Sequence, residues 1–401
     1  MSGLYLYDDF VARGFEPFAL TRPISELRSG VEIIRIRWES ALRCPATGSV
    51  VASHLGDFEE LDAPPPANAT IPAGSILANS RCVVPLELTS QEADVWMCRG
   101  LVAAVRLRAA LAVEALASGE TPLESLETTG NRRVEIEGRW LTEVWSFITD
   151  LAAQLQDDIG RLGPTLDCVT PAHTTVLGHN RVFFERGATI EPMVIADATD
   201  GPILVRSGAS VRAFTRLGGP VAIGKNVKVL GDRVAGSSIG EMSIVRGEIS
   251  DSVMLGHSNK AHDGFVGHSY LGRWVNLGAG TTTSNMKNTY GSVGLWTPLG
   301  MRDSGAVRLG SFFGDHVKTG IGLRLTTGSV VGAGSNIYGG AIPPKYVPPF
   351  SWGEGEELGA YDIEKFLLTA ERAMTRRHVG LGGRGRRQLV AACAKSRRST
   401  L

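Results

Sequence analysis

Aliphatic residues recur every six positions at Val205, Val211, Leu217, Ile223 and Val229. The period returns at Ile239 and Val245, at Phe265, Leu271 and Leu277, and at Leu325, Val331 and Ile337. A helix repeats near 3.6 residues and a strand at 2, so neither element produces this spacing. A six-residue period predicts a parallel β-helix, in which three short strands make one triangular coil and stacked coils share a single apolar column. Glycine follows the residue read as inward in Ile223-Gly224, Ile239-Gly240, Leu255-Gly256, Leu271-Gly272, Leu277-Gly278, Leu309-Gly310, Ile321-Gly322 and Val331-Gly332. A residue without Cβ suits the tight corner expected after each flat. A Gly-rich β-sandwich would alternate every two residues instead. The repeats are expected from near Pro171 to Pro343-Pro344, where adjacent prolines end strand pairing, which makes on the order of nine coils at about 18 residues each.

Before the repeats the pattern changes. LYLY near the start reads as a buried strand, and VEIIRIRWESALR (31–43) has helical spacing. FEPFALTRPISELRSG lies between them, and its prolines and glycines break both patterns. A Pro64-Pro65-Pro66 connection precedes a strand around Ile71, Ile76 and Leu77, and VWMCRGLVAAVRL reads as a further strand leading to a helical ALAVEALA. Residues 140–162 place Leu141, Val144, Trp145, Ile148, Leu151, Leu155 and Ile159 on one helical stripe, expected to close the first domain. After the repeats, YDIEKFLLTAERAMTRRHV predicts an amphipathic helix with Phe366, Leu367, Ala370 and Met374 on one side. The expected organisation is an α/β domain over 1–165, a β-helix over 166–345, a C-terminal helix over 346–380 and a basic, flexible tail over 381–401.

Charge narrows the choice of partners. With 41 basic and 41 acidic residues, no net field favours nucleic acid or an anionic membrane. The five cysteines, Cys44, Cys82, Cys98, Cys168 and Cys393, form no CxxC pair and are odd in number. That predicts free thiols in a reducing cytoplasm and no structural zinc. The first residues carry acids where a secretory leader needs an apolar run, and no later stretch approaches the roughly 18 apolar residues that span a bilayer. A soluble, cytoplasmic protein is expected.

The densest polar chemistry lies in SNKAHDGFVGHSYLGRWVNLGAGTTTSNMKN, residues 258–288, where His262 stands fourteen residues before Asn276 of an NLGAGT run. This block resembles the acetyltransferase half of the bifunctional enzyme that makes UDP-N-acetylglucosamine. Together with the opening LTRPISELRSG and IRWE, the chain from residue 3 to about 378 resembles a group of two-domain sugar nucleotidyltransferase-like proteins. The resemblance implies a left-handed β-helix, a homotrimer, and acyl-CoA, typically acetyl-CoA, held in the groove between subunits. It implies His262 as the base that takes the proton of a sugar amine, a task suited to an imidazole. Asp263 or Glu248 would orient its ring. Asn276 and Asn285 would line the sugar or acyl pocket, Lys260 lies in a similar motif, and Arg233 or Arg246 would meet phosphate. Phe265 and Met286 stand where the better-known enzyme has tyrosines, which leaves the substrate open. His257, His262 and His268 invite a metal reading, but the repeat register sends them to different faces.

Nucleotidyltransferases of sugar 1-phosphates usually hold nucleotide phosphates in a Gly-rich loop after the first strand, whose backbone N–H groups face the anion. Here that stretch reads LYDDFVARGFEPFALTRPISELRSG, with Gly14 alone in the loop and Asp8 and Asp9 where small residues belong. Arg13, Arg22 and Arg28 are candidates for phosphate contacts, and Asp8 or Asp9 for Mg²⁺. The other reading is a degenerate domain whose charges pair with one another. Asn79, Ser80 and Arg81 occur in a similar phrase of the resembling proteins, with no role assigned. The function expected is a transferase of sugar-nucleotide biosynthesis, acting on sugar phosphate and nucleotide ligands. Acyl transfer would occur in the β-helix, and nucleotidyl transfer would be the task of the first domain. The alternatives are a nucleotidyltransferase with the β-helix as trimerisation scaffold, and a non-catalytic sugar-nucleotide binding protein.

Overall fold

The computed structural model describes residues 3–88 and 92–398. The chain divides into two units, the first comprising 1–144 with 381–401 and the second 145–380. In the first unit a six-stranded mixed sheet runs in the order Arg133–Glu135, Val95–Cys98, Leu101–Arg106, Ile76–Asn79, Leu4–Tyr7, Ala46–Val50. Leu4–Tyr7 is parallel to both neighbours, and Tyr7 stands in register with Asn79. Buried on both faces, the strand reads as a continuous apolar run. One face packs Tyr5, Tyr7, Leu77, Val95, Val102 and Val105 into a core. Helix α1 (Ile34–Leu42) buries Trp38, whose indole N–H donates to the Cys82 carbonyl at 3.1 Å.

The second unit is the three-sided parallel β-helix that the six-residue period predicts. One face has nine strands from Val182–Phe184 to Tyr346–Val347 and a second has six from Thr175–Gly178 to Phe265–Gly267. The third begins with five strands from Thr189–Ile190 to Asn259–Lys260, then continues through bridges from Asn259 to Asn276 and Lys318. Val205, Val211, Leu217, Ile223 and Val229 all enter the shared core column, as do Leu271, Leu277, Val331 and Ile337. The register drifts later in the chain. Val266 rather than Phe265 faces the column, Met254 rather than Leu255 does, and Ile321, read as inward, is 78 % exposed. Strand pairing also passes Pro343-Pro344, because Tyr346–Val347 and Ser351–Glu354 still add to the stack.

The glycines after inward residues serve a different purpose from the one the pattern suggests. Gly224, Gly240, Gly272, Gly278 and Gly332 do not have positive φ. They are required because the neighbouring coil passes too close: a Cβ on Gly240 would lie 2.2 Å from the Leu255 carbonyl oxygen, and one on Gly278 2.4 Å from that of Gly320. Left-handed positions are shared between other glycines, such as Gly208, Gly236 and Gly280, and the side-chain-bearing Asn226, Met242, His257, Trp274, His316 and Phe350, whose φ lies between 53° and 65°.

Three segments differ from the helices and tail expected. Residues 140–162 form helices α2 (Ser146–Thr149) and α3 (Leu151–Leu162), which belong to the second unit, where α3 packs on Val221–Ile223. ALAVEALA is a short strand, Leu111–Ala112, followed by a 3₁₀ turn, because Leu111 pairs with Ile71 and tertiary pairing overrides helix propensity. Helix α4 (Ile363–Thr375) is the expected amphipathic one, capped by the Asp362 carboxylate on the Lys365 N–H at 2.9 Å. The stretch expected to be a mobile tail is helix α5 (Gly383–Arg398), which packs on the first unit near Ser53–Leu55. It buries Leu389, Ala392 and Cys393, while Arg387 forms two hydrogen bonds to Asp57 at 2.9 and 3.0 Å.

Gly240→Ala is expected to destabilise the β-helix by roughly 1–3 kcal/mol, because the added methyl overpacks against backbone. Ile321→Ala should stay within about 0.5 kcal/mol, as for other exposed positions. Urea unfolding followed by circular dichroism measures both, and equal effects would contradict the assigned register.

Candidate functional site

His262 lies in the turn 261–264, which carries the chain from the third face at Asn259–Lys260 to the second face at Phe265–Gly267. The turn is held from beneath. The Lys260 side chain is fully buried, and its ammonium donates to the Asp263 carbonyl at 3.0 Å and to the His262 carbonyl. Burial lowers its pKa to about 8, partly opposed by the charges of Asp263 and Asp232. Gly247 and Gly264 line the same edge with φ of 96° and 130°, and a Cβ on Gly247 would come within 2.4 Å of the Gly264 oxygen. Fixed below by lysine and glycine, the turn presents the His262 side chain to solvent.

The remaining candidates divide between this edge and its two adjoining faces. Arg246 bridges Asp263 at 3.0 Å and Asp232 at 3.3 Å along the edge. Arg233 donates to Ser250 Oγ at 2.9 Å and stands in register with Glu248, which pairs in turn with Phe265. Asn285 Nδ2 lies 3.0 Å from His268 Nδ1 and beside the Phe265 ring at Gly267. Asn276 is on the other face, where its Oδ1 accepts from Asn259 Nδ2 at 2.7 Å. Both carboxylates considered for orienting His262 face arginines: Asp263 meets Arg246, and Glu248 is 3.6 Å from Arg233. His257 lies by Arg273 and Trp274 and His268 by Asn285, so the three histidines occupy separate places. Among the described residues, no group of three His, Cys, Asp or Glu side chains is arranged to hold a metal.

A second candidate site lies in the first unit. Because Tyr7 and Asn79 are in register on parallel strands, the residues two places further on, Asp9 and Arg81, meet at the carboxyl ends of those strands. Open α/β sheets commonly bind ligands at such strand ends. Arg81 donates to both Asp9 oxygens at 2.7–2.9 Å, and its guanidinium lies 5.3 Å from the centre of the Trp140 ring. Asn79 Nδ2 adds a bond to Asp9 at 2.9 Å, and the Ala12 N–H another at 2.9 Å. Burial opposes ionisation of Asp9, but the Arg81, Asn79 and Ala12 bonds hold its carboxyl below the usual range. Asp9, Asn79, Arg81 and Trp140, together with Tyr7, Phe10, Glu120, Thr121 and Glu124, line a cleft of about 390 Å³.

The phosphate and metal candidates of this unit are engaged inside the fold. Arg13 donates to the carbonyls of Asp8 (2.9 Å), Leu116 (3.2 Å) and Ala117. Arg22 is buried against Glu60 at 2.8 Å, and Arg28 donates to the Val31 carbonyl. Asp8 is buried and accepts from the Ile24 N–H at 3.0 Å, and burial raises its pKa to about 6 against the hydrogen bonds of Ser80 and Ile24. Since Asp8 is enclosed and Asp9 already accepts the Arg81, Asn79 and Ala12 bonds, this pair does not fit an Mg²⁺ site, which needs carboxylate oxygens open to a hydrated ion. Arg81 and Asn79 stand in a phrase to which the sequence assigns no role, and Trp140 opens the 140–162 segment without a place on its helical stripe. Strand register would have found all three.

Comparison with known proteins agrees with the family resemblance read from the sequence. Residues 4–164 match the family described as sugar nucleotidyl transferase. The chain is 36 % identical over 95 residues to a bifunctional sugar-1-phosphate nucleotidylyltransferase/acetyltransferase of Sulfurisphaera tokodaii, covering 24 % of each. It is 26 % identical over 162 residues to the bifunctional protein GlmU of Synechococcus elongatus, covering 40 % of this chain and 28 % of that protein. The matched segments thus span about a quarter of the length of these curated relatives. Among solved structures, an Arabidopsis UDP-N-acetylglucosamine acyltransferase aligns over 52 % of this chain and 80 % of its own, at 12 % identity and a TM-score of 0.31.

Asp8 gives a pH prediction. Its folded pKa lies above the unfolded value near 3.9, so the stability it contributes is present at low pH and is lost as pH rises through about 6. Asp8→Asn should therefore be more stable than the parent by about 1–3 kcal/mol at pH 7.5, with the gap closing toward pH 4. Unfolding midpoints across pH measure this, and a gap that widens on acidification would reverse the assignment.

Proposed function

We propose that the chain is a transferase of sugar-nucleotide metabolism that moves an acyl group from acyl-CoA, typically acetyl-CoA, to the amine of an amino-sugar phosphate at the His262 edge of the β-helix. The carrying observation is the solvent-facing His262 on a turn fixed by the buried Lys260, beside a face where Arg233, Glu248 and Phe265 stand in successive register and Asn285 lies near the Phe265 ring. The sugar amine attacks the thioester carbonyl while His262 takes the amine proton. The C–N bond forms, the C–S bond breaks, and CoA leaves as the thiol after receiving a proton. Arg233 and Arg246 are assigned to the sugar phosphate, Asn285 and Asn276 to the sugar and acyl groups. In this proposal the protein is a cytoplasmic homotrimer, and a neighbouring copy completes the acyl-CoA groove. No helix among the described residues is long and apolar enough to cross a membrane.

A second reading, nucleotidyl transfer to a sugar 1-phosphate by the first unit, is favoured by the family match over residues 4–164.

His262→Ala is expected to lower kcat for acyl-CoA consumption with hexosamine 1-phosphates by about 10²–10⁴-fold, the range for loss of a general base. Thiol release measures the rate. Turnover equal to the parent would remove His262 from the mechanism, and release of pyrophosphate from a nucleoside triphosphate without any acyl transfer would favour the second reading.

A further inference from the structure

We propose that Lys260 is a positioning residue for His262: an ammonium set inside the apolar column that fixes the 261–264 turn, at a cost in stability and without touching either substrate. This role rests on the reading of His262 as the base in acyl transfer and adds to it what holds the base in place.

Register puts Lys260 inside the β-helix. Val211 pairs with Val229, Val229 with Val245 and Val245 with Lys260 on the third face, and the three valines belong to the core column. On the following coil, where Asn276 bridges Asn259, the next residue is Leu277, again in the column. One coil in this run therefore carries an amine where its neighbours carry branched aliphatic chains. The Lys260 side chain has no exposed surface, which excludes contact with a substrate arriving from solvent.

The head group reaches out of the column to the corner. It donates to the carbonyls of two consecutive residues, His262 and Asp263, and a Cβ on Gly264 would lie 3.3 Å from Nζ. Two successive peptide planes are thus gripped from one point beneath the turn, and the His262 side chain leaves the backbone between them.

Packing alone does not call for this residue. Burial lowers the Lys260 pKa to about 8 against the attraction of Asp263 and Asp232, both of which also face the Arg246 guanidinium. Replacing a buried charge by an apolar residue of similar volume is commonly neutral or stabilising. The two carbonyls belong to exposed residues, where water can take the place of the amine. A valine or leucine would therefore serve the column as it does in the adjoining coils. What lysine supplies is a fixed pair of donors under the turn, in place of mobile water.

Lys260→Met, which keeps an unbranched stem and removes the donors, tests this in the full chain. The variant should melt at or above the parent at pH 7. The penalty on the buried charge is present below about pH 8 and fades toward the unfolded value near 10.4, so the difference in melting temperature, variant minus parent, should fall as pH rises from 8 to 10. Crystal structures of the two proteins should show the 261–264 turn displaced by about 1 Å or more in the variant while the coils on either side superpose. With acyl-CoA and hexosamine 1-phosphates, kcat should fall roughly 10–10²-fold, the range for misplacement on that scale, with both KM values within about threefold of the parent. A variant that melts well below the parent or does not fold would make Lys260 a structural member and overturn the proposal. A turn that stays in place, or a raised KM with kcat unchanged, would overturn it as well. If the parent transfers no acyl group, or His262→Ala transfers it at the parental rate, the earlier reading falls, and the melting curves and the position of the turn still decide whether Lys260 holds it.

Discussion

Parallel backbone pairing between successive coils is the constraint on which the second unit depends. Each coil bonds to the one before and the one after on three faces, so no strand is long and none is stable alone. That pairing draws neighbouring backbones so close that side chains are excluded at Gly240 and Gly278. It also fixes where outward residues stand, since Arg233, Glu248 and Phe265 align because the ladder aligns them. The polar edge at His262 is therefore a product of the same register that fills the interior with Val, Ile and Leu.

The two candidate sites are built by opposite means. At the β-helix edge, a buried ammonium holds a turn by its carbonyls, and the imidazole remains outside. In the first unit, the side chains at the strand ends hold one another: Asp9, Arg81, Asn79 and the Ala12 amide form a closed set of charge-assisted bonds. The first arrangement leaves the His262 side chain exposed to solvent. The second leaves a rigid surface with a few spare donors, better suited to recognition than to proton transfer.

Much of the β-helix was legible because its period is unlike any other. Val205 to Val229 could be placed in the column from spacing alone. Legibility failed where coils lose strict hexapeptide length, which is why Phe265 and Ile321 were read inward while the structure turns them out. The His262 segment stood out through its density of polar residues and a family spacing, but which face each residue would occupy depends on coil-to-coil register that one strand does not reveal. The Asp9–Arg81 pair was hidden for the same reason, since 72 residues separate its members and only the pairing of Tyr7 with Asn79 joins them. Helix α5 was missed because its Gly-rich, basic composition suggests a solvated segment, whereas Leu389, Ala392 and Cys393 give it an apolar stripe to bury.

The placement of α5 makes the first unit discontinuous in sequence, with 145–380 inserted between its main part and its final helix. During synthesis the main part leaves the ribosome more than two hundred residues before the helix that covers Ser53–Leu55 and meets Asp57. Until then the ground that α5 will occupy is bare, and the whole β-helix can assemble in the interval. The amino-terminal fragment alone would thus expose an apolar patch that the full-length polypeptide conceals, a liability for any attempt to study that half by simple truncation.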